Sequence, residues 1–361
     1  MTALLVIVIF VALIVVHELG HFVVAKLTRV RVEEFGIGYP PRALSLGTWG
    51  GTEYTINWLP FGGFVRLFGE DEAPERGQGS LQRAPRKVQA AILVAGVAMN
   101  ALLAWGLFIV ALHIGVPTLI EAPRHGEAVH LYVADVVPGS PASAAGLAMG
   151  DEILALRDAS GNAPALTPDA FVEFVGERAG VPLTIEYLHA GATSSAMVRP
   201  ANAVVPGQAG RPALGVGLAL VAERSLPWGE AFITGTQLTG SYFAATFEGV
   251  WRLISGAFTF SAPIHEVVGP VGLVSIIGEA AHNGIGNVIK LAAFISVNLA
   301  IINLIPIPAL DGGRLAILAV ETALRRPAPR LAVQVINTFG IALIMLLMVV
   351  VTYHDIARLL A

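Results

Sequence analysis

The sequence predicts a multi-pass α-helical membrane protein: four core transmembrane helices, a membrane-associated β-hairpin region and one inserted α+β domain. Three observations predict it. Of 361 residues, 55% are hydrophobic and only 13% are charged, whereas a soluble domain carries about 25% charged residues. Four apolar runs are each long enough to cross roughly 30 Å of hydrocarbon, and Arg and Lys residues gather beyond one end of each. Between the second and third runs, charges, turns and alternating apolar positions return. Net charge is -4, and there is no long basic patch, which argues against a nucleic-acid partner. The absence of cysteine excludes disulfides, thiol catalysis and Cys-ligated zinc, so any metal must use histidine and carboxylate ligands.

The first membrane part is expected over 1–116. Its first span, about 4–25, contains Val15-Val16-His17-Glu18-Leu19-Gly20-His21-Phe22. It lacks a basic n-region and a clear small-x-small cleavage site, so it reads as a retained helix and not a signal peptide. Lys26, Arg29 and Arg31 follow it directly, which places its C-terminal end in the cytoplasm and the N-terminus outside. On a helix, His17 and His21 emerge on one face, one turn apart. Two histidines so spaced can hold zinc, with Glu18 as general base. Chance alone gives this pattern on the order of once in a hundred chains of this length. An ionisable triplet in a lipid-facing span also needs a cavity, a partner or a metal.

Glycines and prolines punctuate about 32–70, where Thr52–Ile56 has strand character and Gly62-Gly63-Phe64-Val65 follows a Trp-Leu-Pro-Phe run. Two readings stay open: a surface hairpin on a cytoplasmic loop, or a hairpin folded back against the membrane near the metal, with an edge strand able to pair with an extended substrate. A polar linker over 70–82 leads to Arg83, Arg86 and Lys87, then to the second span, about 88–116. His113, near its exit, reads as an interfacial residue.

The inserted domain is expected over 117–226, with its core at about 128–200. The run Val136–Ala142 opens a turn into a short Ala-rich helix, Leu147–Leu156 returns as a strand, Asp169–Ala179 reads as an amphipathic helix, and Val181–Leu188 as a further strand. The segment 227–287 has many aromatics and few charges, which suits an amphipathic helix on the outer membrane surface plus a linker. The last membrane part, 288–361, starts with a span that runs into Asn303-Leu304-Ile305-Pro306-Ile307-Pro308-Ala309-Leu310-Asp311-Gly312-Gly313-Arg314. Two prolines two residues apart must break the helix. Asp311 is then either a cap after the kink or the third ligand of an open zinc site. Arg314, Arg325, Arg326 and Arg330 put it at the cytoplasmic level of His17 and His21. A final span, about 331–352, returns to the outside.

The run Pro138-Gly139-Ser140-Pro141-Ala142 with Gly150-Asp151-Glu152-Ile153-Leu154 resembles a PDZ domain of the circularly permuted bacterial type, a fold that binds extended peptides between a strand and a helix; a generic β-rich domain is the plainer reading. The whole chain resembles the site-2 protease family of intramembrane zinc metalloproteases, in its bacterial regulator-of-sigma-E branch. The match lies in His17–His21, Pro60–Val65, the PDZ-like insertion, Gly269-Pro270-Val271-Gly272 and Asn303–Gly313. One departure is Ala95-Gly96-Val97-Ala98-Met99-Asn100, where the family has proline in place of Val97. The resemblance implies Zn²⁺ held by His17, His21 and Asp311, Glu18 as the catalytic residue, and substrate held by Asn303, with Asn298, Gly62, Gly63, Phe64 and Val65 assisting. It implies hydrolysis of single-span membrane proteins, such as an anti-sigma factor after a first cut, and of remnant signal peptides. It also implies residence in the bacterial inner membrane, with both termini and the PDZ-like domain periplasmic and the active site near the cytoplasmic face. The rival from another class is a non-catalytic PDZ scaffold or peptide sensor with a structural metal.

Overall fold

The computed structural model describes residues 2–70, 78–123, 129–189, 192–202, 211–259, 268–282 and 284–360. Most of the polar linker read at 70–82, and residues 260–267 of the linker before the third span, lie outside the described residues. In chain order the elements begin with α1 (Thr2–Leu27), β1 (Val32–Trp49), β2 (Thr52–Leu67) and α2 (Arg86–Ile114). There follow β3 (Val116–Leu119), β4 (Val129–Val136), α3 (Pro141–Ala144), β5 (Glu152–Asp158), α4 (Pro168–Gly176), β6 (Leu183–His189), β7 (Ala192–Val198) and β8 (Val216–Arg224). The chain ends with α5 (Trp228–Thr259), α6 (Pro270–His282), α7 (Ile285–Leu304), α8 (Asp311–Leu324) and α9 (Arg330–Leu360). Contacts divide them into two units, Met1–Ile114 with Leu226–Ala361, and Gly115–Ser225.

In the first unit four helices are long and apolar enough to cross a membrane: Leu4–Leu27, Arg86–Ile114, Ile285–Leu304 and Leu331–Ala357. Small residues and interlocking aliphatics join them. Ile9 and Leu13 of α1 bury against Ile277 of α6 and Val288 and Ile295 of α7. Phe108 of α2 buries against Val297 of α7, with Tyr242 of α5 stacked on its ring at 5.0 Å. Helix α2 runs unbroken through Val97, which keeps the backbone donor a proline would lack. The helix α6 was not anticipated within the expected linker. Asp355, buried near the end of α9, accepts from Gly269 N at 3.1 Å and Gly272 N at 2.8 Å, so α9 caps the start of α6. Without that charge the leading N–H groups of α6 would have no partner within their own helix.

The hairpin β1–β2 turns at Gly50 and Gly51, both at positive φ, a conformation that suits glycine. Its register is doubled. Residues 34–37 face 66–63 on one side and 53–56 on the other, while 42–49 pair with 57–52. Two bent strands thus make four rows, with 32–37 inside and 63–67 on an edge. The buried carboxylate of Glu34 fastens the rows: Arg66 meets it at 3.0 Å, Arg42 at 3.3 Å, and Thr55 donates to it at 2.7 Å.

The second unit is a six-stranded sheet in the order β3-β8-β4-β5-β6-β7, antiparallel at every junction. Its core packs Phe171 and Val175 of α4 onto Leu131, Ile153, Leu183 and Ile185 of the sheet. Thr167 caps α4 and Ser140 caps α3, as the preference for hydroxyls at helix starts requires. A cavity of about 570 Å³ lies between the β8 segment Leu218–Leu220, the start of α4 and the chain after β3.

Candidate metal centre

Helix α1 presents His17 and His21 one turn apart, and both are buried. Asp311 arrives from the far end of the chain because the Leu304–Leu310 segment cannot stay helical. Ile305 is extended ahead of Pro306, Ala309 has a positive φ, and α8 restarts at Asp311. Asp311 is therefore the first residue of α8 and not part of the third span. Gly312 and Gly313 let α8 seat there: a Cβ on either would run into main-chain carbonyl oxygens of Leu304, Ile305 or Ile307.

The three side chains converge. His17 Nε2 lies 3.0 Å from Asp311 Oδ2, His21 Nε2 lies 3.2 Å from it, and the two Nε2 atoms are 3.1 Å apart. Ligands held at about 2.0–2.1 Å around a tetrahedral ion stand about 3.3 Å from one another, so this near-equilateral triangle fits zinc. The His21 imidazole is also set in the right tautomer. His21 donates from Nδ1 to the Ile92 carbonyl at 2.7 Å, which leaves its Nε2 free to ligate. Gly96 supplies the space, since a Cβ there would meet His21 Nε2 and His17 Cε1.

Glu18 is half-buried on the same helix, and the β2 edge row comes against it: a Cβ on Gly63 would stand 3.5 Å from Glu18 Cγ. Of the two readings of the hairpin, the one that places it beside the helix of the histidines is the one seen. Gly62 lies under the Tyr39 ring, which stacks on Phe64 at 6.5 Å. Burial raises the Tyr39 phenol above its ordinary pKa, and the nearby charge of Glu18 adds to this. Val65 points instead into the packing between the hairpin and the end of α1, against the cluster of Ala25, Val32 and Leu67. Asn303 sits half-buried in the last turn of α7 with no side-chain hydrogen bond among the described residues. Asn298 spends its amide on Phe294 O of its own helix, at 2.9 Å. Asn100, at the end of the Ala95–Asn100 run, carries no role in the sequence pattern. It is fully buried, with its amide 3.2 Å from His17 Nδ1. The signal available was a polar residue within an apolar span, which needs a partner. His113 hydrogen-bonds Leu226 O and stacks on Trp228, far in sequence from the ligands and structural in its contacts.

Fold and site together define a class: a multi-pass bundle enclosing a His-His-Asp zinc-type centre with a glutamate beside it. The family model described as Peptidase family M50 matches residues 5–347, and the chain belongs to that family of site-2 zinc metalloproteases. It is similar to "Putative zinc metalloprotease CPE1693" of Clostridium perfringens, 35% identical over 347 residues, 96% of this chain and 96% of that one. It is similar also to "Zinc metalloprotease RasP" of Geobacillus kaustophilus, 29% identical over 432 residues, 98% of this chain and 97% of that one. The β-rich unit aligns with the crystal structure of the PDZ domain of an SdrC-like protein from Listeria monocytogenes, at 22% identity and a TM-score of 0.21, covering 27% of this chain and 93% of that one.

Proposed function

We propose that this zinc metalloprotease cuts single-span membrane proteins within the bilayer, anti-sigma factors after a first cleavage among them, and remnant signal peptides. The observation that carries the reading is the meeting of three ligand atoms within hydrogen-bonding distance of one another, with Glu18 beside them and the open row of β2 against Glu18. His17, His21 and Asp311 hold the metal. When bound, zinc lowers the pKa of a water toward about 7 and polarises the scissile carbonyl. Glu18 takes a proton from the attacking water and delivers it to the leaving amine, so that the peptide C–N bond is exchanged for a carboxylate and an amine.

A helical substrate hides its peptide bonds and must be drawn out. Among the described residues the Gly63–Leu67 row pairs on one side only, which suits addition of an extended strand there. Gly62, Gly63 and Phe64 shape that edge, and Asn303, with its amide uncommitted, holds the substrate main chain. Asn298 is less suited, its donor being spent. The sequence pattern and the strand-plus-helix cavity of the β-rich unit support a PDZ-like role: it receives peptide segments along β8 beside α4 and turns away bulky ectodomains. Basic residues at 26–31, 83–87 and 314–330 support a bacterial inner-membrane placement, with both termini and the PDZ-like unit periplasmic and the metal near the cytoplasmic face.

The test is cleavage of a model single-span substrate by purified protein. Glu18→Gln is expected to keep zinc and lose activity by about 10²- to 10⁴-fold, and Asp311→Ala to lose both. Unchanged cleavage by Glu18→Gln ends the mechanism, and wild type that keeps zinc without cleaving favours the scaffold reading.

A further inference from the structure

Both imidazoles turn their Nδ1 atoms toward α2, and α2 meets them at residues four apart. Ile92 O takes the proton of His21, Gly96 leaves room for both rings, and Asn100 faces His17. A spacing of four puts all three on one helical face. On the side of α7, Ser296, itself fully buried, donates to the main-chain carbonyl of Asn100 at 2.8 Å and leaves its side-chain amide untouched. The Asn100 Nδ2 end stands opposite His17, while Oδ1 is buried with no partner among the described residues.

We infer that Asn100 is a positioning residue of the metal centre, its Oδ1 accepting the Nδ1 proton of His17 and so holding Nε2 bare and aimed at the ion. The inference rests on His17 being a ligand through Nε2. A neutral imidazole that ligates through Nε2 carries its one proton on Nδ1. Two donors would then face each other while an acceptor lay buried and empty. A half-turn of the amide exchanges oxygen for nitrogen in nearly the same space and removes both faults. A neutral amide does this without adding a third carboxylate to a centre that already has Asp311 and Glu18. Asn100 thus does for His17 what the Ile92 carbonyl does for His21.

The experiment measures zinc affinity of the full-length protein in detergent, by competition with a chromophoric chelator, alongside the absorption spectrum of the cobalt-substituted protein. Loss of a partner behind a metal-bound histidine typically weakens binding about 10- to 100-fold, so Asn100→Leu is expected to bind zinc that much more weakly and to shift the cobalt bands. Asn100→Ala repeats the measurement where leucine does not fit. Asn100→Asp, which keeps an acceptor of the same shape, is expected to bind within about threefold of wild type or more tightly. Ser296→Ala, which touches only the main chain of Asn100, is expected to match wild type. Asn100→Leu and Asn100→Ala binding like wild type, Asn100→Asp as weak as they are, or Ser296→Ala equally weak would each overturn the inference. Failure of wild type to bind zinc would instead overturn the ligand reading beneath it.

Discussion

At position 96 a methyl group would stand where the rings of His17 and His21 meet. Gly96→Ala is therefore expected to push the imidazoles apart and to weaken zinc binding by at least about tenfold, the scale seen when the support of a ligand is disturbed. Far-ultraviolet circular dichroism should be unchanged, because alanine favours the helix over glycine. Retention of stoichiometric zinc in the variant, measured by metal analysis after dialysis against a weak chelator, would count against this geometry. The two histidines were legible because their relation is local: a spacing of four decides a shared face without knowledge of the fold. Asp311 was legible for a different reason, the cost of a carboxylate in an apolar run. The same argument applied to Asn100, but nothing in the run Ala95–Asn100 said which of several neighbouring helices its amide would meet.

The hairpin shows how far a pattern reaches at the level of elements. Its glycine-rich turn and the strand at Thr52–Ile56 could be read directly, since turn chemistry and β-branched residues act locally. The doubled register could not, because 34–37 must find two partners at once and only the folded sheet supplies both. Glu34 is the joint: one buried carboxylate holds arginines from two different rows and a threonine from a third. Breaking a buried ion pair costs about 3–5 kcal/mol, but both arginines here are about half exposed and can return to water. Glu34→Ala is accordingly expected to destabilise the β region by about 2–3 kcal/mol. Faster limited proteolysis between residues 32 and 67, with the rest of the chain protected, is the expected readout. Helix α5 illustrates the opposite limit. Its amphipathic character was visible, but its seat was not, since Trp105 donating to Thr236 at 2.9 Å and Tyr242 lying between Phe108 and Phe294 are meetings across the fold.

Across the membrane unit, four spans followed from length, apolarity and flanking charge, whereas the way the last is fastened did not. Large apolar side chains along α9 are mostly exposed, as suits a lipid-facing helix. Its described polar anchor is the Asp355 cap on α6. Asp355→Ala leaves two helix-start N–H groups without that acceptor and is expected to cost about 1–2 kcal/mol. Because the chain has no cysteine, a single cysteine at Leu346 reports on α9 cleanly, and its spin label should gain mobility in the variant; unaltered mobility and thermal stability would argue against the cap. The distance along the chain between the parts of the metal centre has a consequence in time. His17 and Asp311 are 294 residues apart, so at about 5–20 residues per second the ribosome makes the aspartate about 15 to 60 s after the first histidine. For that interval the nascent chain has two of the three side chains and no closed site. A chain assembled in this order has no complete metal centre until its last helices are being made.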